Sequence, residues 1–256
     1  MRPIDTIILK VISEAPQIKT LKLDRDLDPY PGQYCMVWIR GLDEVPMSFS
    51  GPDTITVQSV GEASEALNRL GEGASIGLRG PLGRGFTIRG ERILIIGGGV
   101  GTAPLAFLGE QAANAGVEVT SLIGFRCSSD MIFLERFQRL GRTIVTTDDG
   151  SSGICGRVAA GLDALDLDGF DQIYLCGPEL MMWDVISRTR EHASKIQACI
   201  NRYIKCAAGI CGSCCLDPEG LRVCVEGPVI RADRLLDSEF GRYRRGPTGS
   251  KGPCRG

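Results

Sequence analysis

Up to about Phe86 the chain alternates short apolar runs of β type with turn residues. The runs are Thr6–Ser13, Ile18–Leu23, Tyr34–Ile39, Ile55–Val60 and Ser75–Arg79, punctuated by Pro31-Gly32, Gly51-Pro52 and Gly80-Pro81. One stretch, Ala63–Leu70, has helical composition instead. Many short strands at close spacing predict a small antiparallel β-barrel. From Glu91 the rhythm changes to strand and helix in turn. Arg92–Ile96, Val117–Ile123, Thr143–Thr146 and Gln172–Cys176 read as strands, and Pro104–Ala115, Phe133–Leu140, Arg157–Leu162 and Glu179–His192 as helices. That alternation predicts an α/β unit, a parallel sheet with helices on both faces.

A third segment, about Cys199–Ile230, is rich in Cys and Gly and too small to build a core unaided, so a metal centre would staple it. The expected division is therefore 1–88 for the barrel, 89–198 for the α/β domain, 199–232 for the cysteine segment and 233–256 for a tail. The tail holds Arg242, Arg244, Arg245, Lys251 and Arg255 among Gly, Pro and Ser, and reads as a solvated, disordered extension.

Composition narrows the class. The 256 residues are 43% hydrophobic and 23% charged, ordinary globular usage with room for two modest cores. A net charge of −2 supplies no field to recruit nucleic acid or anionic lipid. The longest apolar stretch, Ile93–Leu108, is broken by four glycines and Pro104, and Arg2-Pro3 followed by Asp5 and a strand is no signal peptide. The expected location is the cytoplasm. In that reducing compartment a dense group of cysteines reads as metal binding before disulfides, and five of the eleven cysteines fall between Cys206 and Cys224.

Cys206, Cys211, Cys214 and Cys224 are spaced C-x4-C-x2-C-x9-C, the plant-type [2Fe–2S] arrangement of three ligands in one loop and a fourth farther on. Four thiolates must converge on two irons, and Gly209 and Gly212 let the backbone curl so that its N–H groups face the sulfurs. Structural zinc is the competing reading, although zinc sites usually come as two separated C-x2-C knuckles. Cys215 could replace Cys214, but the x2 spacing and Gly212-Ser213 favour Cys214.

Ile93-Leu-Ile-Ile-Gly97-Gly98-Gly99-Val-Gly101-Thr102-Ala-Pro104 runs from an apolar strand through a glycine turn into a helix. Glycines let backbone approach a pyrophosphate, and the helix start offers unpaired N–H groups. Thr102 stands where the G-x-G-x-x-G fingerprint would have its last Gly, so a plain tight turn is the bland alternative. Cys176-Gly177-Pro178 ends the last predicted parallel strand, where ligands of open α/β sheets sit.

These segments resemble the ferredoxin–NADP reductase superfamily. Gly97–Pro104 and Cys176–Pro178 are similar to its nicotinamide-binding segments. Pro46-Met47-Ser48-Phe-Ser50 is similar to its flavin-binding R-x-[YF]-S strand, and Gly80-Pro81-Leu-Gly83-Arg-Gly85-Phe86 to the segment that closes its flavin barrel. With the cysteine loop and Arg222-Val-Cys224-Val-Glu-Gly-Pro228, the chain over residues 5–232 resembles the electron-transfer subunits of dihydroorotate dehydrogenase B, especially the archaeal ones.

The resemblance implies FAD, with Pro46, Met47 and Ser48 along the flavin, Thr56, Val57 and Gln58 on the next strand, and Gly61, Ala63 and Ser64 near its pyrophosphate. NAD would be the co-substrate, held by Gly97, Gly98, Gly99, Gly101, Thr102, Cys176, Gly177 and Pro178. The partner implied is an FMN-containing dihydroorotate dehydrogenase catalytic subunit in a heterotetramer of two of each, serving pyrimidine biosynthesis. Two departures stand out. Val45 replaces the superfamily's flavin-phosphate arginine, leaving Arg79, Arg84 or backbone N–H groups to neutralise the pyrophosphate. Cys206 is followed by Ala-Ala where the subfamily commonly has Gly-x.

A hydride carries two electrons and a [2Fe–2S] cluster accepts one, so a flavin between them is the natural relay. No Ser/His/Asp set appears, His192 reads as a helix-end residue, and Asp148-Asp149 reads as a turn that the resemblance brings near the nicotinamide. Dehydrogenation of an organic acid is thus expected of the partner, with no catalytic acid or base here. The rival readings are an electron-transfer subunit of another complex, of sulfhydrogenase or ferredoxin:NADP oxidoreductase type, and a zinc-stapled interaction protein. The cysteine segment is expected to face the partner.

Overall fold

The computed structural model describes residues 2–254. Its first part is a closed barrel of β1 (Ile4–Ala15), β2 (Ile18–Leu23), β3 (Tyr34–Trp38), β4 (Glu44–Gly51), β5 (Thr54–Gln58) and β6 (Ser75–Leu82), ordered β1-β2-β5-β4-β3-β6. The helix α1 (Glu62–Arg69) covers one end, and its Leu67 joins Ile8, Leu21, Val37, Phe49, Ile55 and Ile76 in the barrel core. Ser64 starts this helix by accepting the N–H groups of Val60 and Gly61 at 2.9 and 3.0 Å. β4 escapes the apolar pattern because Pro46, Ser48 and Ser50 take its alternate positions.

Strand β3 is buried on both faces, and two packings explain this. Cys35 and Val37 point into the barrel core, whereas Tyr34 and Met36 point outward into the core shared with the rest of the chain.

The second part is a seven-stranded sheet. It is built from β7 (Arg92–Gly98), β8 (Glu118–Phe125), β9 (Thr143–Thr147), β10 (Ile154–Cys155), β11 (Gln172–Cys176), β12 (Ile196–Cys199) and, from farther along the chain, Val229–Arg231. The order β10-β9-β8-β7-β11-β12 is parallel throughout and reverses direction at β7/β11, the position where such sheets take ligands. The connecting helices are α2 (Thr102–Asn114), α3 (Leu134–Leu140) and α4 (Glu179–Arg188). α2 is buried on nearly every side because it lies between the sheet and the barrel, where its Phe107 enters the barrel core.

Two expected helices differ. Residues Val158–Ala164 form a 3₁₀ helix, and the helix expected to reach His192 stops at Arg188 and resumes as a 3₁₀ turn, Arg190–Lys195.

The cysteine segment carries two short strands, β13 (Cys215–Leu216) and β14 (Leu221–Arg222), then α5 (Val223–Glu226) and β15 (Val229–Arg231). β15 pairs antiparallel with β12, so the segment leaves and re-enters the same sheet. Cys214, Leu216, Leu221, Val223 and Cys224 share one core with Leu94, Ile173 and Tyr34, and the expectation that the segment lacks a core of its own is met by borrowing.

The tail differs from the expected disordered extension. Through Cys254 it folds as α6 (Asp233–Leu236) and a hairpin of β16 (Arg244–Arg245) and β17 (Lys251–Gly252). The reason is charge pairing, since Arg244 reaches Glu179 at 3.4 Å and Arg245 pairs with Asp217 and Glu239. Arg255 lies outside the described residues.

Candidate functional site

Period-two alternation sorts the barrel candidates. Met47 pairs with Cys35 and packs half-buried on the barrel core, whereas Val57 lies wholly within that core, so only the Val57 backbone can meet a ligand. Pro46, Ser48, Thr56 and Gln58 occupy the opposite, outer face. Thr56 spends its hydroxyl internally, donating to Ser50 at 2.8 Å and bonding Thr20 at 2.9 Å. Gly61 and Ala63 lie at the α1 start beside the buried Ser64.

Arg79, one candidate for neutralising a pyrophosphate, is already committed. Its guanidinium holds Glu44 with contacts of 2.5 and 3.3 Å and donates to the Cys206 carbonyl at 3.1 Å. Arg84 keeps an exposed side chain, while its backbone N–H donates to Gly227. Of the three candidates the sequence offered, this leaves Arg84 and backbone N–H groups for the task.

At the β7/β11 switch two backbone turns meet. Cys176 is in register with Gly97, and a Cβ on Gly101 would lie 2.5 Å from the Gly177 Cα. A Cβ on Gly98 would strike Met181, and one on Gly177 would strike Met181 and the Gly98 backbone. Gly101 meets backbone, so close approach requires glycine there, whereas the Met181 methyl opposite Gly98 is the free end of a flexible side chain. Gly99 differs: its φ of +51° is left-handed, and a Cβ there would meet nothing within 4 Å. The turn is thus tightly packed behind and open in front, the shape a pyrophosphate needs. Thr102 is buried and its hydroxyl donates to the Gly99 carbonyl at 2.7 Å, which pins the turn and commits that hydroxyl's one proton.

Asp148 and Asp149 follow β9 at the same edge of the sheet. Asp149 accepts from the Ser151 N–H and hydroxyl at 2.9 and 2.6 Å, and these bonds hold its carboxyl below the usual range, as a loop cap. His192 sits largely covered in the turn after α4, 3.8 Å from Asp168, a packing position.

The cysteines come together two by two. The Cys211 N–H faces the Cys206 sulfur at 3.5 Å, and the Cys224 N–H faces the Cys214 sulfur at 3.4 Å. The Ala208 N–H also reaches Cys206, at 3.4 Å. Burial would raise the Cys206 thiol, but the N–H groups of Cys211, Ala208 and Ile210 outweigh it and bring the pKa to about 6. Burial pushes Cys214 up to about 12. Ala207, Gly209 and Gly212 all have positive φ, and Ala207 stands where the subfamily's glycine would relieve that backbone.

Among the described residues no three His, Cys, Asp or Glu side chains converge on a point that one metal ion could fill. Two cysteine pairs edged by amide donors suit a two-iron cluster better than a single tetrahedral zinc. Cys215 lies on β13 opposite Arg222, and Cys214 is the one beside Cys224.

Two features at this junction had no motif to announce them. Tyr34 is buried and donates to the Cys224 carbonyl at 3.0 Å; burial, then the nearby Cys224 and Cys214, raise its pKa. Arg202, also buried, grips Glu179, the residue after Cys176-Gly177-Pro178. Only the charged interruption in Ala198-Cys-Ile-Asn-Arg202-Tyr-Ile could have hinted at Arg202.

Comparison with known proteins sets this geometry in context. Residues 201–236 match a family model described as the iron-sulfur cluster binding domain of dihydroorotate dehydrogenase B. A protein of Methanocella arvoryzae, named probable dihydroorotate dehydrogenase B (NAD(+)), electron transfer subunit, is 52% identical over 255 residues, covering 98% of this chain and 99% of that one. A Methanocaldococcus jannaschii protein of the same name is 40% identical, covering 98% of each. Among solved structures, the NADH-dependent reduced ferredoxin-NADP oxidoreductase superposes with a TM-score of 0.81 at 25% identity, over 89% of this chain and 88% of that one. The flavohem-like FAD/NAD binding domain of Vibrio cholerae nitric oxide dioxygenase gives a TM-score of 0.65 over 76% of this chain and 96% of that one. At 20% identity it shares the fold alone.

Proposed function

The chain belongs to the family of dihydroorotate dehydrogenase B electron transfer subunits, and on that footing we propose that it relays electrons between NAD and a partner subunit through FAD and a [2Fe–2S] cluster. Bound together, these groups supply hydride exchange at one end and single-electron exchange at the other. The chain's residues hold and separate them.

In this reading the outer barrel face of Pro46, Ser48, Thr56 and Gln58 carries the flavin, with Met47 and the Val57 backbone beside it. The backbone at Gly61, Ala63 and Ser64 takes its pyrophosphate. Gly97, Gly98, Gly99 and Gly101 bring bare backbone to the nicotinamide cofactor's pyrophosphate, Thr102 pins that turn, and Cys176, Gly177 and Pro178 form the opposite wall. Cys206 with Cys211, and Cys214 with Cys224, would supply the four thiolates that hold the cluster. We assign no acid or base role to any described residue, so dihydroorotate would be oxidised on the partner, an FMN-containing catalytic subunit. We take the assembly to be two of each subunit, working in the cytoplasm in pyrimidine biosynthesis. Among the described residues no helix is long and apolar enough to cross a membrane.

The observation that carries this reading is the pairing of the four cysteines, two by two, each pair edged by backbone N–H donors. The loop tip favours a partner-facing role as well, since Ile210 is 84% exposed between two of the candidate ligands. The test is the visible spectrum, iron and sulfide content, and NADH reduction of anaerobically purified protein. Flavin bands, about two irons per chain and bleaching by NADH are expected. Zinc without flavin would overturn the reading. Cross-links to the catalytic subunit that map only to the glycine-turn side would overturn the partner-facing assignment.

A further inference from the structure

The barrel touches the cysteine segment through its main-chain carbonyls, and the two carbonyls belong to different cysteine pairs. Tyr34 donates its hydroxyl to the Cys224 carbonyl at 3.0 Å, and Arg79 donates to the Cys206 carbonyl at 3.1 Å. Both donors stand on the outer barrel face. Tyr34 faces Ser48 across the β3–β4 ladder, and Arg79 faces Met36, which itself faces Pro46. Neighbouring strands lie about 5 Å apart, so each grip is within one or two strand spacings of the proposed flavin strand.

The ladder between β3 and β6 slips by one residue between Tyr34 and Met36, a bulge that re-aims side chains at this edge. Next to the bulge, Arg84 N–H donates to the Gly227 carbonyl at 2.6 Å, and a Cβ on Gly83 would strike that same carbonyl and the Tyr34 ring. Arg79 is itself held by Glu44 on β4, with both side chains largely covered. The joint is therefore closed, polar and braced from behind.

We propose that Tyr34 and Arg79 are positioning residues that clamp one cysteine of each pair against the flavin barrel and so set the flavin-to-cluster separation. The proposal rests on the reading above for its cofactors. A hydrogen bond to a carbonyl fixes its peptide plane, and in a trans peptide the next N–H then points the opposite way. The clamp thus orients the amides that follow Cys206 and Cys224 as well as the cysteines themselves. Pulling on backbone leaves every thiolate free for metal.

The test uses the full-length chain with Tyr34→Phe, which keeps the ring, and Arg79→Lys, which keeps the charge but loses the fork reaching Glu44 and Cys206 together. Hydrogen exchange of the amides in 206–212 and 223–227 is measured with and without cofactors. The EPR spectrum of the NADH-reduced protein and the bleaching rates of the flavin and cluster bands complete the set. Each variant is expected to exchange these amides roughly 2- to 10-fold faster, the worth of one lost hydrogen bond. A shifted cluster signal is expected, with the cluster band bleaching later than the flavin band relative to wild type. Wild-type exchange and an unshifted signal in both variants would overturn the clamp. Faster exchange in both variants of a protein whose wild type binds neither FAD nor iron would sustain the two hydrogen bonds as a joint and sink the electron-transfer reading, so the two failures are distinguishable.

Discussion

Arg202 grips the Glu179 carboxylate through two hydrogen bonds of 2.8 and 3.0 Å, with both side chains sealed from water. Glu179 opens α4 directly after the Cys176-Gly177-Pro178 turn, and Arg202 lies four residues before Cys206. A second buried carboxylate, Glu239, stands 3.6 Å from the Arg202 Nε, and the Gly241 N–H donates to Glu179 at 2.9 Å. One cation thus joins the strand-end turn, the cysteine segment and the tail.

Removing that cation leaves two buried carboxylates with only the longer ion contacts of Arg244 and Arg245, at 3.4 and 3.6 Å. Arg202→Ala is expected to cost about 3–5 kcal/mol of stability, or roughly 10 °C in the unfolding midpoint for a chain of this size. Scanning calorimetry checks the value. A double variant with Glu179→Gln should recover part of the loss, because one fewer charge is left poorly paired; no recovery would mean that packing, not charge, dominates.

Gly101 has an ordinary φ of −64°, so its constraint is space alone. Gly101→Ala should force the two strand-end turns apart and raise the NADH concentration needed for half-maximal flavin reduction by about 10-fold or more, equivalent to 1.4 kcal/mol. Flavin and iron content should stay at wild-type levels. Gly99→Ala meets open space but a left-handed φ, and should cost only about 1 kcal/mol of stability. Anaerobic NADH titrations of the two variants, side by side, decide the matter.

Cys214 and Cys215 are chemically identical neighbours with different surroundings. Cys214→Ser is expected to halve or abolish iron content, whereas Cys215→Ser should retain about two irons per chain. Equal iron loss in both would show that the loop rearranges when metal binds.

In cluster-free protein the same loop should show a pH signature. Folding lowers the Cys206 pKa from 9.0 to about 6, so the folded state holds this proton more weakly than the unfolded chain does. Its contribution to stability is complete above pH 9 and is lost as the pH falls through 6. At pH 7 Cys206 is a thiolate while Cys214, near 12, is not. Alkylation followed by mass spectrometry should find Cys206 modified on the order of a few hundredfold faster, after allowing for the weaker nucleophilicity of a low-pKa thiolate. Comparable rates at the two sites would contradict the amide donors seen around Cys206.

Local chemistry made much of this protein legible in its sequence. Apolar runs announced every barrel strand but β4, and the change to strand–helix alternation located the sheet. The spacing of Cys206, Cys211, Cys214 and Cys224 marked a metal site, and the glycines from Gly97 to Gly101 marked a close approach, because each depends on residues near one another in the chain. Asp149 as a loop cap was equally local.

What escaped was decided by residues far apart. Tyr34 meets Cys224 across 190 positions, and nothing near Tyr34 distinguishes it from an ordinary barrel residue. Arg244 and Arg245 looked like a solvated tail until Glu179, Glu239 and Asp217 were brought beside them. Arg79 looked free for a phosphate until Glu44 and the Cys206 carbonyl claimed it. Hydrogen bonds and ion pairs between distant segments depend on the path of the folded chain, which no short window encodes. The sequence therefore determined which chemistries this protein carries, and the tertiary structure decided how firmly, and through which side chains, they are held against one another.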